Sequence, residues 1–275
     1  MAYTLIAHGN VAGANSGTTS ALDTTGADFL VIHLQQSKTA SEATISDSKG
    51  NTWNQLTLQS CASGDVMSRL YYAKNVTVGS GHTFSFSGTS VFGSIEVQAW
   101  SGSHLTAPFD VENGAVDGSP ASRSTGSVTP SQDNSLLVAG LASGGGDNSG
   151  TTIDLGFTVS DVSVYSAGVN FGGAIAYLVE TISAAKNPTW TFNFDFGAAN
   201  IAVFKPAGGA VVATGPAPLG WFDPELEAGR YIDPEVSPMC LLGWFDREWT
   251  APSGPGGLLQ DKFARLIGGG ALGSA

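Results

Sequence analysis

The sequence predicts an all-β fold: an antiparallel β-sandwich of the jelly-roll or immunoglobulin-like kind, with roughly ten strands, followed by an extended C-terminal arm. Three observations carry this. Short runs of alternating apolar and polar residues, broken by Gly, Asn, Asp and Ser clusters, fill the first 207 of 275 residues. Only 12% of residues are charged and 37 are glycine, far from the Ala/Glu/Lys/Leu/Arg richness of helical proteins. Composition then shifts near residue 208, beyond which lie 7 of the 12 prolines and 3 of the 6 tryptophans.

Taken in order, the strand candidates are residues 3–7, 29–35, 52–59, 67–73, 83–87 and 94–100, then 136–141, 157–165, 173–180, 189–194 and 200–204. In Thr83-Phe84-Ser85-Phe86-Ser87 and Trp190-Thr191-Phe192-Asn193-Phe194 aromatic residues alternate with polar ones, which gives one buried and one wet face. Asp47-Ser48-Lys49-Gly50-Asn51 offers an Asx start and a glycine free to take positive φ, so a hairpin tip is expected there. Residues 106–133 and 143–152 are Gly/Ser/Asp-rich, read as linkers too polar to be buried, and are the natural places for binding loops.

Residues 208–275 form a separate Pro/Gly/Trp-rich arm. It carries Leu-Gly-Trp-Phe-Asp twice, at residues 219–223 and 242–246. Proline around each copy prevents a long helix, and the copies are too close together to be independent domains. Leu219, Trp221, Phe222, Asp223, Leu242, Trp244, Phe245, Asp246 and Trp249 are therefore candidate partner-binding residues. Left in water these aromatics would be an apolar liability. Each Trp-Phe pair can bury on the order of 300–500 Å2, several kcal/mol at about 25 cal/mol per Å2, and two anchors on one tether gain from effective concentration. Residues 258–267 show helical spacing of apolar groups, Phe263 among them, and fit a short docking helix of about two turns.

Eleven basic against 23 acidic residues give a net charge of −12, so no general field draws nucleic acid or an anionic membrane, and neither is expected as a partner. Two distant cysteines, Cys61 and Cys240, make neither a zinc site nor a disulfide scaffold. The start, MAYTLIAHGNVAGANSG, lacks a basic leader and a long apolar core, so synthesis in the cytoplasm without a signal peptide is expected. His8, His33, His82 and His104 are isolated, and the signatures of zinc proteases, α/β-hydrolases and NTPases are missing. No cofactor and no catalytic residue is expected. Asp110, Glu112 and Asp117 crowd one loop and Asp147 and Asp154 border another, a set of carboxylates open to glycan or cation binding, or to glycosidase chemistry, beside the simpler role of solvating loops. Trp53, Tyr71, Tyr72, Trp100 and Trp190 are either core residues or platforms for sugar rings.

The runs ISDSKGNTWNQL at 45–56, RLYYAKNVTVGSGHTFSFSG at 69–88 and SIEVQAWSG at 94–102 resemble a β-sandwich module of bacterial secreted and phage proteins, over roughly residues 1–207. The Leu-Gly-Trp-Phe-Asp strings resemble C-terminal strings of phage and prophage structural proteins. Together the resemblances imply a non-enzymatic virion protein, a capsid decoration, head fibre or tail-associated subunit, oligomeric and held to other virion subunits by its arm. The alternative is a carbohydrate-binding module or adhesin that recognises host surface glycan.

Overall fold

The computed structural model describes residues 2–61, 64–116, 121–193 and 196–208. The chain divides into two units, Met1–Val211 and Val212–Ala275, and every described residue belongs to the first. The two Leu-Gly-Trp-Phe-Asp copies, Trp249 and the helix expected over 258–267 lie outside the described residues, as does Asp117.

The described residues are all-β, with antiparallel pairing throughout and no helix. In chain order the first half holds β1 (Thr4–Gly13), β2 (Ser16–Thr18), β3 (Phe29–Ser37), β4 (Thr44–Asp47) and β5 (Asn54–Gln55), then β6 (Gln59–Ser60), β7 (Val66–Lys74), β8 (Phe84–Ser87) and β9 (Gly93–Ser101). The second half holds β10 (Phe109–Val116), β11 (Ser122–Ser124), β12 (Ser135–Ser143) and β13 (Thr152–Ile153), then β14 (Thr158–Ser163), β15 (Gly172–Glu180), β16 (Thr189–Thr191) and β17 (Gly197–Phe204).

These strands form two large sheets, β1-β9-β3-β7-β5 with β6 also on β7, and β10-β17-β12-β15-β14. Two small sheets, β2-β8-β4 and β11-β16-β13, complete the set. Apart from β6, the second half repeats the order of the first when β10 is matched to β1, β12 to β3, β15 to β7, β16 to β8 and β17 to β9. The described residues thus form an internal structural duplication. Roughly ten strands in two sheets was therefore an undercount: the described residues hold 17 strands in four sheets. Strands of two or three residues are too short to show a period of two, and β10, FDVENGAV, is half-buried along most of its length, so no alternation marks it. β10 and β11 also occupy much of the 106–133 stretch expected to be a linker.

Side-chain alternation orders the layers. Leu30, Ile32 and Leu34 of β3 pack with Phe84 and Phe86 of the first small sheet. Phe29 and Val31, on the opposite face, pack with Leu136, Val138, Ala202 and Phe204 of the second large sheet. Leu137, Ala139 and Leu141 of β12 then pack with Trp190 and Phe192 on the far side. Four layers result, with the two large sheets inside. That is why β3, β12 and β17 are buried at every position and read as continuous runs rather than alternating ones. At the centre Phe29 and Phe204 lie 4.8 Å apart between ring centroids, as do Trp100 and Tyr177; such rings dominate the burial energy, at about 1.5–3 kcal/mol for a Phe-sized side chain.

The turn at Asp47 forms as its residues predict: Asp47 Oδ1 accepts from Lys49 N at 2.9 Å, and Gly50 takes φ 73°. It is not a hairpin tip, however. β4 pairs with β8 in a small sheet and β5 with β7 in a large one, so the turn carries the chain from one layer to the next.

Candidate functional site

A buried polar centre lies between the two large sheets, at the end of the interface where the apolar packing stops. On β3, β7 and β9, the residues on the face turned to the second half are first apolar (Phe29, Val31, Leu70, Trp100) and then polar. His33 stands opposite Glu96, and Gln35 opposite both Ser68 and Ser94, by strand register. His33 Nδ1 lies 2.7 Å from Glu96 Oε2, and His33 Nε2 lies 2.7 Å from Ser68 Oγ. Ser94 Oγ donates to Glu96 Oε1 at 2.7 Å, and Gln35 Nε2 donates to Ser94 Oγ at 3.0 Å. With the ring proton on Nδ1, the imidazole donates to the carboxyl group and accepts the Ser68 hydroxyl.

A hydroxyl, an imidazole and a carboxyl group in this order have the connectivity of a nucleophile, its base and the orienter of the base. The surroundings forbid that use here. His33, Ser68 and Glu96 are each 0% exposed. The facing sheet closes over them with two glycines. A Cβ on Gly140 would come within 2.4 Å of His33 Cδ2, and one on Gly173 within 2.8 Å of both Glu96 Oε1 and Ser94 Oγ. Ser68 is itself fully buried, so its Oγ is closed to a substrate carbonyl in this arrangement. Beyond the centre, Cys61, Val66 and Ala142 pack with Phe171 and Phe196 as an apolar patch. The arrangement packs sheet against sheet.

The duplication explains the glycines. Matching the registers of β3 with β7 and β9 to those of β12 with β15 and β17 makes Gly140 the counterpart of His33, Gly173 that of Ser68, and Asn200 that of Glu96. Half one supplies the bulky polar groups and half two the room for them. Asn200 is 3% exposed, and neither its Nδ2 nor its Oδ1 has a hydrogen-bond partner among the described residues.

Further polar contacts join the halves along the rim. Tyr3 Oη donates to Lys205 O at 2.7 Å, Gln98 Nε2 to Ser160 Oγ at 2.8 Å, and His8 Nδ1 meets Asp161 Oδ2 at 3.0 Å. Burial holds the Asp161 carboxyl above its ordinary value of 3.8, partly opposed by the hydrogen bond and charge of His8. Folding thus takes up a proton at Asp161, and the sign follows: this group's contribution to stability falls as pH rises above its ordinary value toward the raised one. Asp161→Asn is expected to flatten the fall, so that the variant gains on the wild type as pH rises through the acidic range above 3.8. Melting curves across that range check it, and parallel curves for the two proteins would refute it.

Of the loop carboxylates singled out from sequence, the four that are described, Asp110, Glu112, Asp147 and Asp154, hold backbone. Asp110 Oδ2 accepts from Ser131 N at 2.7 Å. Glu112 accepts from Thr57 N and Thr57 Oγ1, both at 2.9 Å, and so ties the halves together. Asp147 Oδ1 accepts from Ser149 N at 3.0 Å, and hydrogen bonding by Ser149 holds its carboxyl below the usual value. Asp154 Oδ1 accepts from Thr189 N at 2.7 Å. Their partners lie on separate segments, and among the described residues no group of three or more His, Cys, Asp or Glu side chains is placed to hold a metal ion. The 143–152 stretch is less open than its polarity implies, since Ser143, Asn148 and Thr151 are buried and Asn148 Oδ1 accepts from Tyr165 N at 2.8 Å.

Among the aromatic candidates, Trp100 and Trp190 are fully buried, and Tyr71 nearly so. Trp53 is half-buried, with Nε1 donating to Asp47 Oδ2 at 3.0 Å. Asp47 also meets His82 Nε2 at 2.9 Å, both side chains at 0% exposure. The buried centre was missed in the sequence, although a signal was there: His33 and Gln35, and Glu96 and Gln98, stand two apart within apolar runs, which puts polar groups on one face of buried strands. Among the described residues no helix is long and apolar enough to cross a membrane. No family model, curated protein or solved structure matches the chain.

Proposed function

We propose that the chain is a non-enzymatic virion structural protein of a tailed phage, a capsid decoration, head fibre or tail-associated subunit. The duplicated β body, each half a jelly-roll-like sandwich, is displayed outward, and residues 208–275 anchor it to neighbouring subunits. The observation that carries this reading is the junction between a closed body and a segment made of repeated aromatic anchors. Ala207 N donates to Gly102 O at 2.7 Å, and Pro206 bridges to Ser103, so the chain leaves the body from a pinned point with Leu-Gly-Trp-Phe-Asp still to come twice. Trp221 with Phe222, and Trp244 with Phe245, are the plugs; Leu219, Leu242, Trp249 and Phe263 widen the apolar contact. Asp223 and Asp246 accept hydrogen bonds from the partner's backbone or cap a turn. A homo-oligomer on a symmetric particle is the natural state for such a subunit.

Truncation after residue 207 tests the anchor. The body is expected to keep its far-ultraviolet circular dichroism while its copy number on purified particles falls to background. Incorporation of the truncated chain at normal occupancy would sink the proposal.

A further inference from the structure

We infer that a groove along one edge of the first half binds a neutral pyranose saccharide, of the kind that forms bacterial surface polysaccharide. This recognition role does not rest on the arm and goes beyond display.

The groove, about 350 Å3, opens between the edge strand β4 of the small sheet and the edge strand β5 of the large one. That volume lies at the small end of ligand sites, about 300–1,000 Å3, and suits a short saccharide. Its lining includes Trp53, Tyr71, Glu42, Gln55 and Thr44. The polar groups are held in advance. Tyr71 Oη donates to Glu42 Oε1. Arg69 Nη1 lies 2.9 Å from Glu42 Oε2 and 2.8 Å from Gln55 Oε1. Each Glu42 oxygen keeps a second lone pair for a sugar hydroxyl, and Gln55, with its oxygen taken, offers its Nε2 donors. Trp53 lines the groove and is held in place, because Nε1 is tied to Asp47 and the ring packs edge-on to Phe84 at 6.3 Å. Groups fixed before binding lose little freedom on binding.

Charge selects the ligand class. Arg69 offsets Glu42, so the groove has no uncompensated charge to attract an ion, while the net charge of −12 repels acidic polymers. A neutral sugar, which presents hydroxyls as both donors and acceptors beside an apolar ring face, matches an oxygen acceptor, an amide donor and an indole together. The groove also differs from the loops first expected to bind glycan, whose carboxylates are engaged with backbone.

The test is calorimetric titration of the full-length chain with malto-, cello-, laminari- and chito-hexaose. Saturable binding of at least one is expected. Gln55→Ala is expected to weaken it about tenfold, roughly one lost hydrogen bond to a charged or oriented group, and Trp53→Phe to weaken it at least as much. Gln55 is exposed, so its variant leaves the fold intact, and an unchanged melting temperature verifies this. Asp147→Asn, outside the groove, should bind as the wild type does. No saturable binding of any of the four sugars, or binding undiminished in both groove variants, would overturn the inference. Neither result touches particle incorporation, which reports on the arm alone.

Discussion

The His33→Ala variant is expected to lose roughly 3–5 kcal/mol of unfolding free energy, the range found when one partner of a buried polar pair is removed. His33 lies 2.7 Å from both Glu96 Oε2 and Ser68 Oγ, with no exposure to solvent, and bonds to each. Without the ring, Glu96 retains Ser94 as a donor on its other oxygen, and Ser68 loses its acceptor. A cavity of imidazole size adds to the loss. Exchanging the pair together, as His33→Leu with Glu96→Leu, is expected to recover part of it, because the buried carboxyl group goes with its partner while the Ser68 and Ser94 hydroxyls lose theirs. Urea unfolding of the three proteins checks this; a loss below about 1 kcal/mol in the single variant would show that the centre contributes little to holding the halves together.

Gly140→Ala is the second large effect. The added Cβ would stand 2.4 Å from His33 Cδ2 and 2.5 Å from Asn200 Oδ1. Both neighbours are buried, so neither can yield into solvent. Overpacking of this kind costs roughly 1–3 kcal/mol, and the upper end or beyond is expected because the obstacle is a ring locked by two hydrogen bonds. Gly150→Ala is the control, since nothing lies within 4 Å of its Cβ position and no change above about 0.5 kcal/mol is expected. In a His33→Ala background the Gly140→Ala penalty should shrink, giving a coupling of at least about 1 kcal/mol in a double-mutant cycle. Additive effects would mean that the two residues do not meet.

These two predictions share one cause. The large sheets meet as the subunits of a two-fold dimer do, with equivalent positions facing each other: Phe29 and its counterpart Leu136 lie in one core cluster, and His33 sits against its counterpart Gly140. Two bulky groups cannot occupy the same space, so one copy keeps the imidazole and the other is reduced to a hydrogen. A polar centre in one half thus demands glycine in the other, and the two halves stay distinct in sequence while they share a topology.

The all-β class and much of the strand inventory were legible from residue order alone. Runs such as FLVIHLQQS and GSIEVQAWS are long enough for their burial to be read locally, and β3 and β9 lie where those runs predict. The Asx turn at Asp47 was likewise legible, because the side chain that forms it contacts only its next few residues. What the tertiary structure decided is everything that depends on a distant partner. Asp47 fixes a turn but not which sheets the flanking strands join. The similar aromatic patterns around Phe84 and Trp190 look like repetition of a texture until β8 and β16 are found at equivalent places in two copies of one topology. Alternation puts His33 and Gln35 on one face of β3; it cannot say that Glu96 of β9 shares that face, or whether the face meets water or another sheet. Periodicity is a property of neighbouring residues, whereas sheet order, register between halves and the sealing of the His33 centre arise from contacts between residues far apart in the chain, where the packing of whole layers makes the choice.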